Sequence, residues 1–73
     1  MGAFLNDDLN FEIEKIKEFD LPITVSKSYD DIFDYSFSLD IEDSTYWYAT
    51  KEERDKDFET LKILIPNFTY VED

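Results

Sequence analysis

The chain has 73 residues, of which 19 are acidic, 7 basic and none histidine, giving a formal charge of -12 at pH 7; 42% of residues are hydrophobic and 18% aromatic. That length builds one small domain, 1–73, with no room for a deep cleft between domains. Without cysteine or histidine there is no disulfide, no thiol or imidazole nucleophile and none of the usual zinc, copper or haem ligands, and a negative surface opposes direct binding of a phosphate backbone.

Leu5, Leu9, Ile13, Ile16 and Phe19 share one helical face, with Asp7 or Asp8 available as a cap. Phe11 does not fit that face. A strand would pair Phe11 and Ile13 against Asn10, Glu12 and Glu14, but Lys15 and Ile16 break its register, so a helix over about 8–19 is favoured. After Pro22, Ile23 and Val25 alternate with Thr24 and Ser26 and predict a strand over about 23–28, with Tyr29-Asp30-Asp31 as the following turn.

The clearest period lies at 33–41, where Phe33, Tyr35, Phe37, Leu39 and Ile41 alternate with Asp34, Ser36, Ser38 and Asp40. Glu42-Asp43-Ser44 is a polar hairpin connection, and the β-branched and aromatic run at 45–50 completes a three-stranded antiparallel meander. Thr50 and Glu53 have capping-box spacing and open a helix over about 51–64, which Pro66 stops. Phe58, Leu61 and Ile65 form its apolar stripe with Leu64 at the edge. Arg54, the only arginine, falls on the same stripe, so its stem should pack on the sheet while its guanidinium finds a carboxylate. A last short strand can form around Phe68, Tyr70 and Val71. The fold class is therefore α+β, a two-layer domain with a helix covering the meander.

Seven Phe, five Tyr and one Trp, with one Gly and two Pro, separate this chain from charged disordered sequences. No stretch approaches the roughly 20 apolar residues that cross a bilayer. The first residues lack the basic flank and apolar core of a signal peptide, so cytoplasmic residence is the expectation. Asn67-Phe68-Thr69 matches a glycosylation acceptor, a pattern without weight unless the chain is secreted.

Charge is concentrated. Between Lys27 and Lys51 stand six acids (Asp30, Asp31, Asp34, Asp40, Glu42 and Asp43) and no base, half of the net charge in one third of the chain. Strand alternation predicts Asp34, Asp40 and Glu42 on one side of the sheet, diluted by Ser36 and Ser38. Such a face can serve solubility alone, or it can present carboxylates to a basic groove on a partner protein. The strand at 45–50 puts Tyr46 and Tyr48 on one face and Trp47 on the other, so one set should stay exposed beside the acids. Exposed aromatics of this kind anchor interfaces. The six acids with Tyr46 and Tyr48 are thus the candidate partner-binding residues.

Asp30, Asp31 and Asp34, or Asp40, Glu42 and Asp43, offer oxygen ligands for calcium or magnesium, but the EF-hand pattern is missing because the only glycine is Gly2. Ser36, Ser38 and Ser44 have no histidine to activate them, and no pair of carboxylates is enclosed for acid-base work. No enzyme activity and no cofactor are expected. In size, charge and lack of catalytic residues the chain resembles the small acidic inhibitors carried by phages and mobile elements, including anti-CRISPR proteins and nucleic-acid mimics. The resemblance implies a partner with a basic, nucleic-acid-binding surface. It is one of profile, carried by no motif, so no contact residues transfer with it. The alternative is a regulatory interaction module that pairs through Tyr46, Tyr48 and a sheet edge, its charge serving solubility.

Overall fold

A computed structural model describes residues 3–18, 23–31 and 34–72. It contains two helices and a four-stranded mixed sheet, ordered α1 (Asp7–Lys17), β1 (Thr24–Tyr29), β2 (Phe37–Ile41), β3 (Ser44–Tyr48), α2 (Lys51–Leu64) and β4 (Thr69–Val71). The α+β class and the second helix's bounds agree with the sequence expectation.

The favoured N-terminal helix forms as α1, but its cap is Asn6 rather than Asp7 or Asp8. The Asn6 side chain accepts a hydrogen bond from the Leu9 amide at 3.1 Å, leaving Asp7 and Asp8 in the first turn, where the helix dipole favours them. Leu9, Ile13 and Ile16 are buried. Phe11, which fits no apolar stripe, is 78% exposed with the Lys15 ammonium over its ring. Phe19 and Pro22 fall outside the described residues.

The antiparallel meander is present, in the order β3-β2-β1, and β4 adds a parallel strand beside β1, with Val25 opposite Tyr70. The predicted strand at 33–41 is shorter than its alternation implied. Phe33 lies outside the described residues, and Asp34, Tyr35 and Ser36 belong to the connection. The reason is pairing: β1 ends at Tyr29 opposite Phe37, so β2 has no ladder partner before Phe37. An Asp30 amide to Ser36 carbonyl bond of 2.8 Å closes the connection. At the other end of the sheet Ser44 pairs with Ile41, so the hairpin loop is Glu42-Asp43 alone, with Glu42 at φ 53°. That left-handed backbone is uncommon for a glutamate.

Register and alternation place Val25, Leu39, Ile41, Tyr46, Tyr48 and Tyr70 on one face of the sheet. These residues join Leu9, Ile13 and Ile16 of α1 and Phe58 and Leu61 of α2 in one core, so both helices cover the same face. Asp57 and Arg54 are buried alongside Phe58 and Leu61 on α2. The Thr50 hydroxyl caps that helix, accepting from the Glu53 amide at 3.2 Å and donating to Glu53 Oε1 at 3.0 Å. At its far end the Tyr70 hydroxyl shares its proton between the Leu61 and Ile65 carbonyls, which also accept from the Ile65 and Phe68 amides.

Candidate functional site

Tyr46 and Tyr48 are core residues, which corrects the expectation that they serve as exposed anchors. Both point toward the helices, each with its hydroxyl tied to a carboxylate. Tyr46 donates to Glu12 Oε2 at 2.6 Å and Tyr48 to Asp57 Oδ2 at 2.7 Å. Burial, with the Glu12 hydrogen bond second, pushes the Tyr46 hydroxyl up to about 12, and burial together with Asp57 raises that of Tyr48 further. Alternation leaves Trp47 as the exposed member of the run, at 44%.

The six predicted acids do not form one face. On the sheet side away from the helices Asp40 is half-buried and held by Ser28 Oγ at 2.6 Å and Thr45 Oγ1 at 2.9 Å, so it serves the cross-strand ladder. Asp34 is in the β1–β2 connection rather than in a strand, and Glu42 is in the hairpin loop. Asp30, Asp31 and Asp34 lie, all exposed, at the end of the sheet where Tyr29, Phe37 and Tyr48 align. Glu42 and Asp43 are exposed at the opposite end, with the five-residue β2, roughly 16 Å long at the rise of a strand, in between.

The end bearing Asp30, Asp31 and Asp34 also carries a concavity lined by described residues. It is an open cleft of about 400 Å³ beside the edge strand β3, between the start of α1 and the start of α2. Asp7, Asp8 and Glu53 supply its carboxylates, Tyr35, Trp47 and Tyr48 are among the other residues that line it, its surface is mostly polar, and none of its lining residues is basic. Tyr35 is 58% exposed.

A buried network fixes the cleft's inner wall. Asp57, 1% exposed, accepts from the Leu5 amide (2.9 and 3.0 Å to its two oxygens), from the Asn6 amide (3.1 Å) and from the Tyr48 hydroxyl. Asn6 Nδ2 donates to the Trp47 carbonyl at 2.8 Å. Asn10 clasps the Phe4 backbone, accepting from its amide at 2.7 Å and donating to its carbonyl. The segment entering α1 is therefore bolted to β3 and α2, and Trp47 sits on a fixed strand. Asp57 and Asn6 were missed in the sequence. The signal for Asp57 is visible in retrospect: 54, 57, 58 and 61 are spaced i, i+3, i+4 and i+7, so an acid there must face the core and find donors.

The basic side chains of the described ion pairs lie elsewhere. Lys27 and Arg54 meet Asp55 at 3.4 and 3.1 Å, Lys62 meets Glu59 and Glu72, and Lys17 meets Glu14. Among the described residues no group of three carboxylates is arranged to hold a metal ion, and no helix is long and apolar enough to cross a membrane. No protein-family model, curated protein or solved structure matches the chain.

Proposed function

We propose that this is a non-enzymatic acidic binding protein that occupies a basic, nucleic-acid-binding site on a partner protein, an inhibitor or nucleic-acid mimic working in the cytoplasm. The observation that carries the reading is the gathering of acids at one end of the sheet. Asp30, Asp31 and Asp34 stand in the β1–β2 connection with the exposed Tyr35, and Asp7, Asp8 and Glu53 line the cleft beside β3, which carries the exposed Trp47. One-signed charge of this kind steers a basic partner into contact, and aromatic groups hold the complex once it has formed.

The test uses purified restriction, repair and CRISPR effector enzymes, each loaded with a short labelled DNA or RNA and then challenged with this protein. At least one enzyme should release its nucleic acid. The displacement should weaken steeply between about 50 and 200 mM salt, because the contact replaces phosphates. The protein itself should bind none of the labelled strands. Retention of nucleic acid by every enzyme, or direct binding of the strands by this protein, would overturn the reading.

A further inference from the structure

We propose that the free edge of β3 is a docking strand, onto which the basic partner lays one extended segment as a fifth strand of the sheet. The proposal rests on the reading above, in which the partner's surface is basic. The hairpin fixes which backbone groups are available. Ile41 and Ser44 close it, and hydrogen-bonded pairs then recur at every second position, Leu39 with Tyr46 and Phe37 with Tyr48. Thr45 and Trp47 therefore turn their amides and carbonyls away from β2, toward the outer edge of the sheet. The Asn6 side chain shows the direction, since its Nδ2 reaches the Trp47 carbonyl at 2.8 Å from outside the sheet. Among the described residues no hydrogen bond from another element reaches the Thr45 amide, the Thr45 carbonyl or the Trp47 amide.

A sheet edge in this state attracts another strand, and proteins normally blunt it with a very short strand, a bulge, a proline or a lysine. β4, the other edge, is three residues long and is followed by Glu72, which Lys62 engages at 3.2 Å. β3 has none of these devices. It is Ser-Thr-Tyr-Trp-Tyr, unbroken in register and without charge, and its aromatic and β-branched residues favour the extended backbone that strand addition needs. Its cover at the edge is Asn6, which takes the Trp47 carbonyl and so marks where the free stretch ends. Charge selects the occupant. β3 lies in the base-free interval between Lys27 and Lys51. Glu42 and Asp43 flank its first residue, and Asp7, Asp8 and Glu53 line the concavity shared with Trp47 and Tyr48 at its other end. A second copy, pairing β3 antiparallel with β3, would set the hairpin acids of each chain against the far-end acids of the other, between two molecules of charge -12. An extended segment carrying lysine or arginine meets opposite charge at both ends, and its backbone supplies the partners that Thr45 and Trp47 leave open.

The probe is a short peptide alternating arginine and valine. One twin is N-methylated throughout its backbone, which keeps the charges and removes every amide donor, and another carries glutamate in place of arginine. The readout is amide hydrogen exchange followed by NMR. At about ten times the peptide's Kd, exchange at the Thr45 and Trp47 amides should slow about tenfold, while the Tyr46 and Tyr48 amides, already bonded to β2, change little. The N-methylated twin should give no such protection, and the glutamate twin should not bind. Thr45→Pro, which removes an outward amide and leaves the β2 ladder bonds in place, and Thr45→Lys, which puts a repelling charge on the edge, should each weaken the arginine peptide several-fold. Equal protection by the N-methylated twin, protection at Val71 in place of Thr45 and Trp47, or no protection by the arginine peptide at low salt would overturn the docking strand. Protection that rises with protein concentration in the absence of peptide, with a dimer in sedimentation, would assign the edge to a second copy and overturn the basic occupant. Absence of peptide protection while nucleic-acid displacement proceeds at the same rate in the wild type and in Thr45→Lys would remove the docking strand and leave the proposed function in place. Protection by the arginine peptide without displacement from any enzyme would support the docking strand and overturn the inhibitor reading.

Discussion

Replacing Asp57 by alanine is expected to lower the melting temperature by roughly 10 to 20 °C, the equivalent of about 3 kcal/mol in a domain this small. The side chain is buried and accepts from two backbone amides and one tyrosine hydroxyl. Truncation leaves all three donors without that acceptor, inside a fold whose total stability is on the order of 5 kcal/mol. Asp57→Asn should cost less, because its amide oxygen can still accept. Thermal melts followed by circular dichroism give the ranking, and hydrogen exchange at the Leu5 and Asn6 amides locates the loss. An alanine variant that melts with the wild type, its Leu5 amide still protected, would mean that the segment entering α1 is held by something other than Asp57.

Arg54→Ala should destabilise the protein by about 1 to 3 kcal/mol, and Lys56→Ala by no more than about 0.5 kcal/mol. The two positions lie two residues apart on α2 and carry the same charge, so the pair separates packing from net charge. Arg54 is buried, donates to the Ser28 carbonyl at 3.0 Å and to Asp55, and covers the Phe37 ring. Removing it frees the Ser28 carbonyl and opens the seam between α2 and β1. Lys56 is exposed, with its charge in solvent. Repulsion within a protein of charge -12 would make any lost cation costly. Equal shifts in melting temperature for the two variants would therefore assign the effect to charge alone and contradict the packing argument.

The same helix illustrates what can be read from a sequence of this kind. Thr50 and Glu53, the Phe58-Leu61-Ile65 stripe and Pro66 are local signals, and they locate α2 to the residue. Arg54 is legible for the same reason, since its place on an apolar stripe fixes where its stem must go. Alternation identifies the strands but does not say where pairing stops. Asp34, Tyr35 and Ser36 keep the alternating pattern after β1 has ended, and they leave the ladder. That single difference relocates the predicted acidic site. A strand would have carried Asp34 into line with Asp40 and Glu42, whereas the connection carries it with Asp30 and Asp31 to the cleft end.

The aromatic anchors show a different limit. Alternation separates Trp47 from Tyr46 and Tyr48, but it cannot tell which face the helices cover. That choice depends on where Asp57 and Glu12 wait to receive the tyrosine hydroxyls. The cleft was not legible at all, because it joins residues from the start of α1, the β1–β2 connection, the end of β3 and the start of α2.

The central claim is that the position of the acids, and not only their number, makes the protein a competitor for a basic site. Two variants of equal charge test it: Asp30→Asn with Asp31→Asn at the cleft end, and Glu42→Gln with Asp43→Asn at the hairpin. All four residues are exposed, so both variants should fold as the wild type does. The measurement is the rate at which each displaces labelled nucleic acid from a susceptible enzyme at low and at physiological salt. Charges near a contact act chiefly on association and its salt dependence. The cleft-end variant should displace more slowly and with a flatter salt slope, while the hairpin variant keeps the wild-type rate; identical slowing in both, or slowing confined to the hairpin variant, would contradict the account.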